Sequence, residues 1–249
     1  MHNFDSLSKD LRNTGLLPSD TLLVHSSMKS IGETAGGADT VLDVFMKYFG
    51  QDGLLVFPEL THRLNSENPR FDVKNTESQV GLLPELFRQR PGVVRSLHPT
   101  HSLAAFGKDA ESFTAGHEKF DSPCHRNSPW GRLYDRQAKI LFLGTGVCCN
   151  TFLHGVEEWI PVPEMLTETH QALEVVDYDG NIISVPSRRH QGGHSRYYGK
   201  LEQQYRAAGA MKDVRFGDAL CTLADCRMVA EITVAVLKED PYFFSPQGN

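Results

Sequence analysis

No stretch of this chain approaches the roughly 18 consecutive apolar residues that a membrane-spanning helix needs. Its opening segment, MHNFDSLSKDLRNTG, lacks the apolar core of a secretory signal. There is no internal repeat, no low-complexity tract and no clear linker. A basic stripe is also missing, and the formal net charge is −6. That balance argues against a nucleic-acid footprint and mildly favours cationic partners. The five cysteines are odd in number and show no framework spacing, which fits reduced thiols in a cytoplasm. These absences leave a cytoplasmic protein whose partners are neither nucleic acid nor membrane.

What is present is ample core material. The chain has 249 residues, 40% of them hydrophobic and 22% charged. It suits one α/β domain spanning 1–249. The chain reads outward from ILFLGTGVCCNTFLHGVEEW, residues 140–159. Residues 140–143 are wholly apolar, the pattern of a strand covered on both faces. Gly144 and Gly146 then permit a sharp turn. Asn150 or Thr151 serves as N-cap of a helix that Pro161 stops. On that helix His154 and Glu157 are three apart, sharing a face at hydrogen-bonding distance. The pair reads as a general base and its orienter, just past the C-terminal end of a buried strand, where open α/β sheets carry ligands. A lone His-x-x-Glu is a weak motif, and structural histidines on short helices are common. The order of strand, glycine turn, cap and pair gives the reading its weight.

Elsewhere the chain alternates strands and helices. A first helix is expected at 6–14 and a strand at 21–24. An amphipathic helix follows at 39–49, with Gly50 as its stop, and then a strand at 54–57. This strand–helix–strand unit predicts a parallel pair. Between the first strand and its helix lies SSMKSIGETAGG, small hydroxyl residues and glycines that expose backbone N–H groups to an anion. A polar connection runs over 59–79. Further helices are expected at 84–89 and 108–120, and a third strand at 102–106. Residues 171–178 and 181–185 flank Asp179-Gly180, a signal for a hairpin with a type I′ turn. A helix at 197–208, two short strands and a helix at 226–237 capped by Asp225 complete the pattern. The fold expected is a mixed, mostly parallel α/β sheet flanked by helices, with an antiparallel C-terminal addition.

Four segments together resemble the aminoglycoside 3-N-acetyltransferase family. They are VHSSMKSIGETAGGADTVLD, NTESQVGLLPELFRQRPGVVRSLHPTHSLAAFG, ILFLGTGVCCNTFLHGVEE with WIPVP behind it, and EQQYRAAGAMKDVRFGDALCTLADCRMV. The resemblance implies transfer of an acetyl group from acetyl-CoA, as co-substrate and without a metal, to an amine of an aminoglycoside or related amino sugar. It makes His154 the base, Glu157 the carboxylate beside it, and Thr151 a donor to the thioester oxygen. It assigns the cofactor arm to Ser26, Ser27, Ser30, Gly36 and Gly37, and the acyl pocket to Thr76, His98 and Ser102. It implies a cationic small-molecule amine as partner, leaves room for a homodimer, and carries antibiotic resistance as an associated property.

One departure bears on the substrate. Antibiotic-modifying members carry a longer, acid-rich excursion where this chain has PELTHRLNSENPR, whose only carboxylates are Glu59 and Glu67. A biosynthetic amino sugar or another small amine therefore competes with the antibiotic as acceptor. Three other readings stay open on the sequence. Cys148 or Cys149 with His154 would make a thiol-dependent transferase. His98 with His101, or His190 with His194, would suit a zinc hydrolase using Glu157 as base. A silent CoA-binding protein would keep the pocket without the chemistry.

Overall fold

The apolar runs become neighbouring strands at the middle of one sheet. In the computed structural model, which describes residues 1–160 and 162–246, the strands in chain order are β1 (Thr21–Ser26), β2 (Leu54–Leu60), β3 (Arg70–Asp72), β4 (Val94–Arg95), β5 (His101–Gly107), β6 (Lys139–Leu143), β7 (Glu174–Val176), β8 (Ile182–Ser184), β9 (Met211–Phe216) and β10 (Ala219–Asp225). Seven of them form a sheet in the order β4-β5-β2-β1-β6-β10-β9. β1 is parallel to both β2 and β6. β5 and β10 run against their neighbours, so β4, β2, β1, β6 and β9 share one direction. The mostly parallel sheet and its antiparallel C-terminal addition are thus both present. A second antiparallel extension, β5 with β4, sits at the other edge and was not anticipated.

Side chains of a strand alternate between faces, and here both faces are covered. Leu22, Val24, Leu55, Phe57 and Leu141 pack under α1 (Phe4–Asn13), α2 (Gly37–Phe49) and α3 (Leu82–Phe87), through Leu7, Leu11, Val41, Phe45 and Phe87. Leu23, Val56, Ile140 and Phe142 face the other way. They meet α4 (Ala110–Thr114), α5 (Pro129–Asp135), α6 (Thr151–Trp159), α7 (Glu202–Ala207) and α8 (Cys226–Glu239). Two helical layers over both faces explain why these strands carry no polar alternation. β3, β7 and β8 form a separate three-stranded sheet around Phe71, Val175 and Val185. The polar connection at 59–79 therefore contains a strand.

Several local expectations need correction. The helix expected at 108–120 is cut to Ala110–Thr114 and a 3-10 turn, because Gly116 takes the left-handed conformation at φ 76°. Gly50 has an ordinary helical φ of −67°, so it is no left-handed stop. It is needed for space, since a Cβ there would lie 2.5 Å from the Met46 carbonyl oxygen and 2.6 Å from the Phe106 ring. The hairpin of β7 and β8 is antiparallel as expected, but its turn differs. Gly180 alone has positive φ there, at 85°, and the Asp177 carboxylate accepts N–H bonds from Asp179 and Asn181. A type I′ turn would need positive φ at both central positions. The helix expected at 197–208 begins as a 3-10 segment, His194–Leu201. Pro161, the expected stop of α6, lies outside the described residues. Among the described residues no helix is long and apolar enough to cross a membrane.

Candidate active site

β1 and β6 end together, with Ser26 in register with Leu143, so the loops that follow leave the sheet side by side. The Ser27 N–H donates to the Leu143 carbonyl at 2.8 Å, and the Ser30 hydroxyl bonds Ser27 Oγ at 3.1 Å and the Gly144 carbonyl at 3.3 Å. Gly144 has φ 64°, and a Cβ there would fall 2.3 Å from that of Ser30. Only glycine lets the two loops approach this closely. The second loop runs directly into α6. Asn150 occupies the N-cap place but makes no side-chain cap bond.

Between these loops lies a cavity of about 340 Å³ lined by His25, Ser26, Cys148, Asn150, Thr151 and His154 among others. Leu60, Val80, Pro58 and Pro84 give it an apolar side. Its polar wall is short of partners. His25 Nε2, Ser26 Oγ and both amide atoms of Asn150 are buried without a hydrogen bond. Burial pushes the His25 imidazole down to about 3, so it stands neutral against the Phe142 ring. Buried polar atoms left unpaired cost free energy, which a bound ligand's polar groups would offset. An acyl thioester on an apolar arm with amide groups fits such a wall.

His154 is held from two directions. Its Nδ1 lies 2.7 Å from the Tyr198 hydroxyl, and that hydroxyl donates to Glu157 Oε2. A phenol has one proton, so His154 Nδ1 must be the donor in the first bond. That leaves the Nε2 lone pair as the basic position. The direct His154 Nδ1 to Glu157 Oε2 distance is 3.6 Å, which is ion-pair contact and too long for a hydrogen bond. The expected direct bond is replaced by a tyrosine bridge. The second oxygen of Glu157 accepts from His194 Nδ1 at 2.6 Å. Burial pushes the Glu157 carboxyl up. Its contacts with His154, His194 and Tyr198 pull harder and hold it at about 2, ionised at neutral pH.

The His154 ring is also stacked on His190, with centroids 4.3 Å apart and planes 16° from parallel. His190 Nε2 lies 2.6 Å from Glu158 Oε1, which also accepts the Cys124 N–H at 2.8 Å. Burial pushes Glu158 up to about 7 against the pull of its hydrogen bonds, and holds His190 well below its ordinary value. Consecutive glutamates thus support one imidazole, Glu157 at its Nδ1 edge through Tyr198 and Glu158 at its face through His190.

Of the residues singled out from sequence, His154, Thr151 and Ser26 line the cavity, and Glu157 is buried outside its wall, tied to His154 through Tyr198. Ser27 and Ser30 are not in its wall; they tie the first loop to the end of β6. Gly36 and Gly37, with φ of 77° and 61°, begin α2 and also lie outside the wall. Thr76, His98 and Ser102 do not line the cavity either. Thr76 Oγ1 accepts the Asp72 N–H, Ser102 donates to the Glu59 carbonyl, and His98 is fully buried against the His117 ring. Ser102 thus bonds across the paired strands β5 and β2, while Thr76 serves the turn after β3. Tyr198 and Glu158 escaped sequence reasoning, and His190 and His194 were singled out only as a possible zinc pair, not as supports of Glu158 and Glu157. Only GGHSRYY, with its glycines before polar aromatics, offered a signal for part of this set.

Cys124, Glu158 and His190 bring ligand atoms within 4.8 Å of one another. Glu158 Oε1 meets His190 Nε2 and the Cys124 backbone N–H, while burial and the neighbouring Glu158 push the Cys124 thiol up, away from the thiolate that a metal takes. His98 and His101 have ring centroids 6.5 Å apart, and His98 Nδ1 accepts the His101 backbone N–H. Cys148 and Cys149 are exposed at the cavity wall, and burial and the neighbouring Cys148 raise the Cys149 thiol. That is the opposite of nucleophile activation.

A family model described as aminoglycoside 3-N-acetyltransferase matches residues 23–238. Aminoglycoside N(3)-acetyltransferase VII of Streptomyces paromomycinus is 33% identical over 175 residues, covering 63% of this chain and 60% of that protein. The chain spans about 60% of the length of the first curated relatives it matches. The YokD protein from Bacillus subtilis superposes with a TM-score of 0.86 at 25% identity, over 96% of this chain and 94% of that one. AAC-IIIb, solved as a binary complex with CoASH, shares the fold with a TM-score of 0.84 at 24% identity, over 95% of this chain and 96% of that one.

Proposed function

Since the chain belongs to the aminoglycoside 3-N-acetyltransferase family, we propose that it transfers an acetyl group from acetyl-CoA to an amine of an aminoglycoside or related amino sugar, with His154 as general base. The observation that carries this reading is the Glu157–Tyr198–His154 chain ending at a cavity whose polar wall has no partners. Residues 1–249 act as one acetyltransferase domain, in the cytoplasm. A binary structure of AAC-IIIb with CoASH, of the same fold, supports acetyl-CoA as the co-substrate.

Acetyl-CoA would supply an activated acyl thioester. The chain's residues do the rest. An amine is mostly protonated at neutral pH and must lose a proton before it attacks. His154 Nε2 accepts that proton, and the positive charge that results is stabilised by ionised Glu157 at 3.6 Å. Tyr198 fixes the tautomer by taking the Nδ1 proton in a hydrogen bond, and His190 fixes the ring plane. Thr151, one turn before His154 on the cavity wall, donates to the thioester oxygen. Ser26, His25 and Asn150 bind the polar groups of the pantetheine arm. Acceptance of a proton by a positioned base contributes about 10²–10⁴-fold.

The test is thiol release from acetyl-CoA across a panel of amino sugars, aminoglycosides and simple amines. His154→Ala should lower kcat by about 10²–10⁴-fold while acetyl-CoA binding, read by calorimetry, is largely retained. Equal turnover by wild type and variant would end the assignment.

A further inference from the structure

His154 borders a second cavity, of about 230 Å³, which shares His62, His154 and Ser195 with the first. Its wall adds His101, His190 and Arg189, and among the described residues no aspartate or glutamate lines it. Arg189 is the unusual member. Its guanidinium donates to the Gln171 side-chain oxygen at 2.8 Å and to the Leu64 carbonyl, both uncharged. Among the described residues no carboxylate pairs with it, whereas Arg188 beside it meets Asp121 at 3.3 Å. Burial alone lowers the Arg189 guanidinium from its ordinary value, with no acid pulling the other way. Imidazoles are neutral or positive and so offer it no counter-charge; burial holds His62, His101 and His190 below their ordinary values, with the Arg189 charge adding to this at His62 and His101. The two carboxylates of the short excursion do not help. Glu59 is fully buried, held well above the carboxylate range mainly by that burial, and Glu67 is exposed on its loop; neither lines either cavity.

A partly desolvated cation with only uncharged partners is costly unless something brings the opposite charge. We infer that the acetyl acceptor is an amine that also carries an acid group, a carboxylate or phosphate, and that Arg189 receives that group while the amine meets His154. This rests on the transfer reading above and narrows its acceptor to an acid-bearing amino sugar or similar amine. A guanidinium takes either acid in a two-pronged bond, which would orient the acceptor as well as hold it. His190, whose Nδ1 is buried without a partner, supplies a further polar contact on the same wall. A polycationic acceptor would instead choose the separate depression bounded by Glu164, Glu168 and His194, across Gln191 from this cavity.

The experiment pairs acceptors that differ only in the acid, such as glucosamine and glucosamine 6-phosphate, beside gentamicin as a polycation. Thiol release is followed with wild type, Arg189→Gln, Arg189→Lys and Glu168→Gln. The acid-bearing member should be used about tenfold or more better by kcat/KM, and Arg189→Gln should abolish that preference while Arg189→Lys keeps part of it. KM for acetyl-CoA should not follow the substitution. Equal use of both members, or gentamicin preferred with its KM raised by Glu168→Gln, would overturn the inference. So would a rise in KM for acetyl-CoA in Arg189→Gln, which would assign the guanidinium to the cofactor's phosphates. Inorganic phosphate titrated calorimetrically into acetyl-CoA-saturated protein reads the anion site without turnover. Binding to wild type and not to Arg189→Gln supports the site, and no binding to wild type sinks it. Acetyl-CoA bound but never turned over with any amine would defeat the transfer reading instead.

Discussion

The hydroxyl of Tyr198 stands between His154 Nδ1, at 2.7 Å, and a carboxylate oxygen of Glu157, at 2.5 Å. The side chain comes from the 3-10 segment His194–Leu201, 44 residues beyond the histidine it orients. Removing only that oxygen, in Tyr198→Phe, should lower kcat by about 10-fold, less than loss of the imidazole, and shift the pH–rate profile. Glu157→Gln should cost more than Tyr198→Phe, since it removes the charge that stabilises a protonated His154 and disturbs His194 too, but less than His154→Ala. Steady-state kinetics at saturating acetyl-CoA orders the three, and an unchanged kcat in Tyr198→Phe would remove the bridge from the mechanism.

Cys148 and Cys149 touch the cavity, and burial together with the neighbouring Cys148 raises the Cys149 thiol. The double change to alanine should leave kcat within about twofold of wild type, because direct transfer needs no enzyme nucleophile. Complete loss of thiol release, with folding intact by circular dichroism, would favour a covalent route through sulfur.

The Asn150 amide is buried in the cavity wall without partners. Asn150→Ala should therefore leave the free protein no less stable by more than about 1 kcal/mol, since an unpaired buried amide is itself costly. The rise in Tm produced by saturating acetyl-CoA should shrink by a few degrees. An undiminished ligand-induced shift in thermal scans would mean that Asn150 makes no contact with the cofactor.

Acid sensitivity follows from the buried imidazoles. His25 and His117 are lowered to about 3 by burial, and His98, His101 and His190 lie well below 6.5 for the same leading cause. Each stays neutral when folded and takes up a proton when unfolded, so its contribution is full above about 6.5 and fades as pH falls. Glu158, raised to about 7, and Glu59, raised well above 4.5, act in the opposite sense, holding protons that the unfolded chain releases. Between pH 4.5 and 6.5 the five imidazoles outnumber the two carboxyls. Tm should rise across that window in calorimetry; a flat or falling Tm would show that these rings reach solvent.

The strands at 21–24, 54–57 and 140–143 were legible because burial on both faces leaves an unbroken apolar run, and His154 and Glu157 because helical spacing is local. Tyr198 was not legible, since nothing in GGHSRYY specifies that it folds back over α6, and His190 was marked only by its spacing from His194. Thr76, His98 and Ser102 were assigned to the pocket by resemblance. Ser102 instead bonds across the β5–β2 pair and Thr76 holds the turn after β3; the antiparallel pairing of β5 is a long-range event without a local signature. Asp179-Gly180 marked the hairpin correctly, but the Asp177 carboxylate, by capping two N–H groups, selected a different turn.

α6 carries Thr151, His154, Glu157 and Glu158 within little more than two turns, and the two glutamates reach different partners because neighbouring helical positions point about 100° apart. Inserting or deleting one residue between 154 and 157 would rotate both acids away from Tyr198 and His190 together. This stretch can therefore diverge by exchange of side chains but not by change of length. The loop of 61–69, which carries none of this phase relationship, is where the chain can lengthen or shorten.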